Sequence, residues 1–597
     1  MVASREMRAI RDLPLAAPLL LVGFALFFGG AAQNGSLPWL GGGALLLVVV
    51  LLAVRGVPQG WPILLPFAAL VAWLALSISW STLPDRSWDY ANRGLVYLLF
   101  AAVGLWLAGR RRELALGLAA LLGAVAVWAL LGKVLPFLYP DYERAARLRG
   151  PVGLWNQLAL LAAFALPLAL WRRRTSGALL AYAWIVALVL TYSRGGLATA
   201  VVVVGAWFIL TDERAEGAAT LVAAVVPAAV VVGIAFVLPG VTSDGQSSAT
   251  RWRDGLIFGA LLLAGAIGAA ALSRAPRPRL TAGVRRGLLA FGALVLVGVV
   301  AVGVLKTGSS TVGQGPQRLG SASSNFRFVW WRQAVHGWEH HRLAGTGAGT
   351  FELTNLRYRA SYLDKTIEPH NLPLQFLTEV GVVGLLLFVL ACAALLRPAW
   401  RRPRGHELAL ALILPAYLVH GLVDVDWDFA AVSAPAFLVA GALAGGSPRR
   451  RVSLFGVLAA AGVALLAWGV LLLPWLGERW ASDALGASPA RAVKLADRAH
   501  SVDPFLVEPY WAKAFAADER NQPQRAFAYY VQAVHRQPAN PETWLSAGEY
   551  ALENECYQTA YTYLERYTEL DQKALPSAGG NDYNRALALV NAGKGRC

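Results

Sequence analysis

One imidazole stands at the edge of an apolar segment. In Thr366 to Leu390, TIEPHNLPLQFLTEVGVVGLLLFVL, His370 and Asn371 close a polar loop just before the apolar run begins. Histidine ordinarily titrates near neutrality, so at such a position it can take a proton from a hydroxyl or return one. Arginine is the second chemical type in unusual places. Arg194, in TYSRGGLA, occupies a tight turn between two apolar segments, where an unpaired charge is costly. Arg144, Arg147 and Arg149 crowd the stretch YERAARLRGPVGLWNQ, and Arg327, Arg332, Arg342, Arg357 and Arg359 share one loop. The planar guanidinium fork matches phosphate and pyrophosphate oxygens. For any one of these arginines the plain alternative is a solvated loop charge or a lipid headgroup contact. For His370 it is a helix-capping or interfacial residue beside Asn371.

Other polar clusters carry less. GTGAGT, residues 345–350, lacks the glycine spacing and the preceding strand of a dinucleotide fingerprint and reads as a turn. His336, His340 and His341 have neither an HExxH pattern nor a cysteine partner, so they read as solvated or interfacial rather than metal-binding. Asp424, Asp426 and Asp428 in GLVDVDWDFA lack the glycine and terminal glutamate of a calcium loop. Asp424 and its neighbours could orient a sugar, pair with an arginine, or simply shape a turn.

The elements that position these groups follow from composition. Of 597 residues, 57% are hydrophobic and only 15% are charged, which excludes a soluble globular protein and demands a polytopic membrane protein. Apolar segments of spanning length are expected near 14–32, 38–54, 62–80, 93–109, 114–132, 154–171, 177–192, 196–210, 217–238, 255–273, 286–305, 373–396, 407–424, 429–444 and 452–474. The expected fold is therefore an all-α transmembrane helix bundle of about fifteen spans. The first run follows Arg5, Arg8 and Arg11 but has no small-residue cleavage site, so it is taken as a span rather than a signal peptide. With the N-terminus cytoplasmic, Arg55, Arg110 to Arg112, Arg172 to Arg174, Arg214, Arg274/277/279/285/286, Arg397/401/402/404 and Arg449 to Arg451 all fall inside, as the positive-inside rule requires. His370 and the C-terminal tail then fall outside. The net charge of +17 is explained mostly by these cytoplasmic arginines, so no nucleic acid partner is needed. Three cysteines make no disulfide framework; Cys392 lies in a span, and Cys556 could bridge to Cys597.

The one long loop, residues 306–372, opens with the Gly/Ser/Thr-rich TGSSTVGQGPQRLGSASS. In the NFRFVWWRQAVHGWEHH that follows, Phe328, Trp331 (or Trp330), Val335 and Trp338 recur at helical spacing, which predicts an amphipathic helix on the membrane surface. RLRGPVGLWNQ ahead of a span, TYSRGG between spans, NFRFVWWRQA followed by GTGAGTF, EPHN opening a span and HGLVDVDWD closing another together resemble the O-antigen ligase/polymerase family across roughly residues 60–445. The resemblance implies a polytopic glycosyltransferase of the extracytoplasmic face of a bacterial plasma membrane. It implies a polyprenyl-pyrophosphate-linked glycan as donor, with neither a nucleotide sugar nor a metal cofactor. Arg194, Arg327 and His370 match the family's essential residues by motif, as catalytic groups. The implied roles are His370 as general base or acceptor orienter, with Arg194 and Arg327 on the pyrophosphate. Arg147, Arg149, Arg332, Asn371 and Asp424 are candidate substrate-binding residues.

After Trp475 the composition turns soluble, giving domains of 1–475 and 476–597. Ala492, Ala526 and Ala560 align at a period of about 34 residues, as do Ala499 with Ala533 and Pro504 with Pro538. The tail thus resembles tetratricopeptide repeats, with a further helix near 582–592, and such a solenoid offers a concave surface to a protein, peptide or glycan. A cap over the membrane domain is the duller reading. The expected partners are a lipid-linked glycan donor, a glycan, lipid or protein acceptor, and membrane lipid. Two rivals from other classes are a transporter for a charged lipid or polysaccharide, and a non-catalytic scaffold for envelope assembly. The polar groups gather on one face instead of mid-membrane in two repeated halves, which favours the enzyme over the transporter.

Overall fold

A computed structural model describes residues 2–139, 144–275, 315–321, 323–575 and 577–594. Helix dominates, as the expected all-α class requires. A helix occupies every expected apolar segment except 286–305, which lies outside the described residues together with Arg277, Arg279, Arg285, Arg286 and Cys597. Seven of these helices are long and apolar enough to cross a membrane by length and composition, Leu372–Leu396 and Leu454–Leu485 among them. The segment expected at 407–424 divides into His406–Ala411 and Ile413–Gly421. The only strands among the described residues are Val57–Gln59 and Gly446–Arg450, which pair antiparallel.

The chain divides into two compact units. The first comprises Met1–Leu65, Val96–Phe326 and Ala391–Ala464. Its centre is helix Trp155–Arg172, in which every residue from Asn156 to Leu170 is buried. A helix apolar on all sides belongs inside a bundle, so LALLAAFALPLAL packs without a polar face. Helices Pro84–Leu105 and Ala430–Ala444 meet backbone to backbone. A Cβ on Gly104 would fall 2.1 Å from the Leu438 carbonyl oxygen, and one on Gly441 would fall 2.0 Å from that of Ala101. Small residues at a crossing allow this approach, which drives association where no hydrophobic effect is available between helices.

The second unit comprises Pro66–Leu95, Arg327–Leu390 and Leu465–Cys597. Helix Leu454–Leu485 runs unbroken through Pro474, so the composition change at Trp475 falls inside a helix. Beyond it come helices Pro489–Val502, Glu508–Asp518, Pro523–Arg536, Pro541–Glu553, Tyr557–Leu570 and Ala578–Asn591. The alanines of the expected period, Ala492, Ala526 and Ala560, are all buried between neighbouring helices, as are Ala499 and Ala533. Only a small side chain fits where helices approach this closely.

Asp85 and Trp88 fasten the start of helix Pro84–Leu105 to the tail, beside the carboxylates of Asp503 and Glu508. Gln537 Nε2 donates to Asp85 Oδ1 at 2.9 Å, and Trp88 stands edge-on to Phe505. Burial, with the Glu508 carboxylate nearby, pushes the Asp85 pKa up to about 7, with Arg86 opposing the shift. Burial also raises Asp503 to about 6, against the stabilising Phe505 N–H. These folded pKa values exceed that of an unfolded aspartate, so between about pH 4 and 7 the fold keeps protons that the unfolded chain has released. The resulting stability is complete at the acid end of that window and is lost as pH rises through it. Thermal unfolding of the full-length protein should therefore show a Tm that falls between pH 5 and 8. Asp85→Asn, which keeps the acceptor for Gln537, should flatten much of that slope; an unchanged slope would refute the assignment.

Candidate functional site

The helix Arg327–His340 organises the histidine loop. Asn325 and Phe326 both adopt positive φ, 53° and 65°, which turns the chain sharply and makes Arg327 the first helical residue. Two successive non-glycine residues in that region cost roughly 1–2 kcal/mol each, so packing must hold them. The packing is visible. Trp330 Nε1 donates to the Asp364 carbonyl at 2.9 Å, Thr378 Oγ1 donates to that of Ala334 at 2.8 Å, and Asn355 Nδ2 donates to Gln333 Oε1 at 2.8 Å. The buried stripe is Trp330, Gln333, Ala334 and Gly337. The expected stripe of Phe328, Trp331, Val335 and Trp338 is only partly covered; hydrophobicity alone did not separate Trp330 from Trp331.

His370 is placed by that helix. Its backbone adopts φ +53°, and its ring stacks on Trp330 with centroids 5.0 Å apart and planes 22° apart. Arg327 lies three residues before Trp330, one helical turn away on the same face. Asn371 caps the following helix: its Oδ1 accepts the Leu374 N–H at 2.9 Å, and its carbonyl accepts that of Gln375 at 2.9 Å. Arg327, His370 and Asn371 are thus brought together in the second unit, while Arg332, on the same helix, is exposed.

Polar residues to which the sequence reading gave no role support this loop from below. Glu368, two residues before His370, is buried and accepts hydrogen bonds from Tyr90 Oη and, at 2.5 Å, from Gln375 Nε2. Glu379 Oε2 accepts the Gly349 N–H at 2.8 Å and its Oε1 that of Phe351 at 3.3 Å, at the start of helix Phe351–Tyr358. GTGAGT is a run of turns laid against this carboxylate. A Cβ on Gly345 would come 2.2 Å from the Glu379 carbonyl, and Gly347 needs its φ of 109°. The signal for Gln375, Thr378 and Glu379 was present: three polar residues within one apolar span are functional or structural candidates by default.

Among the loop arginines, Arg359 has a structural duty. Its Nη2 donates to both Asp571 carboxylate oxygens at 2.7 and 2.6 Å and its Nε to Oδ1 at 3.0 Å, in a pair whose side chains are 1% and 7% exposed. This guanidinium anchors the loop to the tail.

In the first unit, Arg194 opens helix Arg194–Leu210, and Ser193 caps it by accepting the Gly196 N–H at 3.2 Å. A cation at a helix N-terminus opposes the helix dipole. Carbonyls compensate, since Arg194 donates to those of Ser321 and, at 2.6 Å, Ser323. Arg147 is 3% exposed, donates to the Thr191 carbonyl at 2.9 Å and lies 3.9 Å over the Trp155 ring. Arg149 engages Tyr139, donating to its hydroxyl. Asp424 is buried and accepts the Val425 N–H at 3.0 Å. Beside it Asp426 pairs with His420, a histidine to which the sequence reading gave no role. The fully buried His420 sets Nδ1 2.8 Å from Asp426 Oδ1, which also accepts from Gln157 at 3.2 Å. His420 Nε2 would lie 4.0 Å from a Cβ on Gly195, so this dyad underlies the Arg194 turn.

These elements define an all-α polytopic membrane protein. The O-antigen ligase family model matches residues 255–389, which take in Arg327, Arg332, His370 and Asn371 and leave out Arg147, Arg149, Arg194 and Asp424. The chain is similar to that family over this segment, and the likeness points to a membrane enzyme of glycan transfer in polysaccharide biosynthesis, with a lipid-linked glycan as substrate. No curated protein matches the chain.

Proposed function

We propose that this protein transfers or polymerises a glycan at the extracytoplasmic face of a bacterial plasma membrane, from a polyprenyl-pyrophosphate donor to an acceptor hydroxyl. The observation that carries the reading is the His370 ring stacked on Trp330, one helical turn from Arg327, within the segment that matches the ligase family. The acceptor oxygen attacks the anomeric carbon, the bond from that carbon to the diphosphate oxygen breaks, and the electron pair leaves on the diphosphate. The acceptor proton passes to His370. Stacking on Trp330 fixes the plane of the imidazole that takes the proton. Arg327 neutralises the charge developing on the diphosphate, the term that usually weighs most in such a step. Arg194 has the same duty by resemblance; within the first unit it donates to the carbonyls of Ser321 and Ser323. Arg149 and Arg332 assist on the donor, Arg147 and Asn371 hold the loops that present these groups, and Asp424 serves the sugar. The tail, read as tetratricopeptide-like, receives the acceptor or a protein partner.

Reconstitution in lipid vesicles with a defined polyprenyl-pyrophosphate glycan, products resolved by mass, tests the reading. Wild type should release polyprenyl pyrophosphate in step with glycan-extended product. Arg327→Lys, which keeps the charge but loses the bidentate fork, should be slower by about 10- to 100-fold. Donor left unconsumed by the wild type, or full activity of Arg327→Lys and Arg327→Ala, would refute it.

A further inference from the structure

A second arginine site lies in the first unit and shares no residue with the candidate site described above. The start of helix Arg111–Val134, the loop after helix Leu372–Leu396 and the end of helix Ala430–Ala444 enclose a cleft of about 230 Å³ lined by Arg111, Arg401, Arg402, Arg404, Glu407 and Leu443. The lining therefore carries four guanidinium groups against one carboxylate. That carboxylate is already neutralised, because Arg111 Nη1 meets Glu407 at 2.8 Å. The rest of Arg111 caps helix Ala430–Ala444, donating to the carbonyls of Ala442 and Leu443 at 3.0 Å and of Gly445 at 3.3 Å. Its fork is fully engaged and acts as a fixed wall.

Arg404 reaches Asp212 at 2.9 Å, but the two side chains are 77% and 73% exposed, and such a pair contributes little. Arg401 and Arg402 make no ion pair among the described residues. Pro398 and Pro403 bracket them, and Arg402 and Gly405 take left-handed φ of 53° and 54°, so the loop that presents them is conformationally restricted. Gathering this much like charge on a restricted loop is unfavourable without an anion to accept it. Trp400, between the arginines, is 80% exposed, as expected of an aromatic residue at a bilayer interface.

We propose that this cleft binds a phosphate-bearing anion, with Arg401 and Arg402 donating to the phosphate oxygens and Arg404 closing the third side. Two sources present that chemistry: the head group of an anionic phospholipid in the adjoining leaflet, and a soluble phosphate compound. Basic clefts between membrane helices are suited to the former, and bidentate guanidinium contacts serve both. The site shares no residue with the proposed glycan-transfer centre, so either reading can fail alone.

The test uses the full chain in neutral detergent. Native mass spectrometry reads binding of phosphatidylglycerol, phosphatidylcholine and inorganic pyrophosphate to wild type, to R401Q/R402Q, and to R112Q/R174Q. The last removes two exposed arginines from outside the cleft. The expected result is retention of phosphatidylglycerol over phosphatidylcholine by wild type, about tenfold weaker in R401Q/R402Q and within about twofold of wild type in the control. Pyrophosphate binding with the same dependence, and no lipid preference, would assign the site to a soluble anion. Should R401Q/R402Q fail to fold, R401K/R402K serves instead, with binding reduced severalfold because the forks are lost. Binding that is equal in wild type and the cleft variants, equally weak in the control, or indifferent to phosphate charge would overturn the proposal.

Discussion

His370→Ala should lower turnover by about 10²- to 10⁴-fold while leaving the protein folded, the range expected when a proton-transferring side chain is removed. The fold should survive because Trp330, on which the ring lies, stays anchored to the Asp364 carbonyl. The loss should fall on kcat, since the base acts on the acceptor as the bond forms, with donor binding largely retained. Trp330→Phe, which keeps an aromatic face, should be milder than Trp330→Ala, which frees the His370 ring and opens a hole beneath it. Single-turnover rates on vesicle-reconstituted protein, with expression and Tm measured alongside, decide the matter. A His370→Ala protein that is folded and transfers at the wild-type rate would remove the base from the mechanism and leave a binding or transport role.

Asp571→Ala should destabilise the second unit by about 3–5 kcal/mol, because it leaves the Arg359 guanidinium buried without its carboxylate. The pair is almost wholly shielded from water, so screening does not soften the loss. Burial explains a further expectation. Arg359→Met with Asp571→Leu removes both charges together, and the double variant should be far closer to wild type than either single one. Thermal unfolding of the four proteins gives the coupling directly, and simple additivity would contradict it. Because Arg359 and the His370 loop belong to the same run of chain, the single variants should also lose transfer activity, and the double variant should regain it.

Much of the architecture was legible in the amino acids. Hydropathy over windows of about 20 residues located the apolar helices, because a helix satisfies its own backbone within the segment and needs no distant partner. The alanines spaced by about 34 residues in the tail were readable too, and Ala492, Ala526 and Ala560 are all buried. The sequence offered a helix cap as the plain alternative for His370, but the structure gives that duty to the neighbouring Asn371. Arg327 and His370 stood out in the sequence by residue type and by resemblance, whereas their spacing of about forty residues said nothing of their proximity.

What the tertiary structure alone decided is which polar groups are engaged and by whom. Tyr90 meets Glu368 across 278 positions, Gln157 meets Asp426 across 269, and Arg359 meets Asp571 across 212. No local pattern encodes such pairings, because a guanidinium awaiting an anion and one closed on a buried carboxylate have the same neighbours in sequence. The choice of Trp330 over Trp331 as the buried indole has the same origin: both are apolar, and only the arrival of the Asp364 carbonyl and the Leu372–Leu396 helix determines which face is covered. Segment hydrophobicity is a local sum and can be read along the chain, whereas desolvation of a particular charge depends on what folds against it.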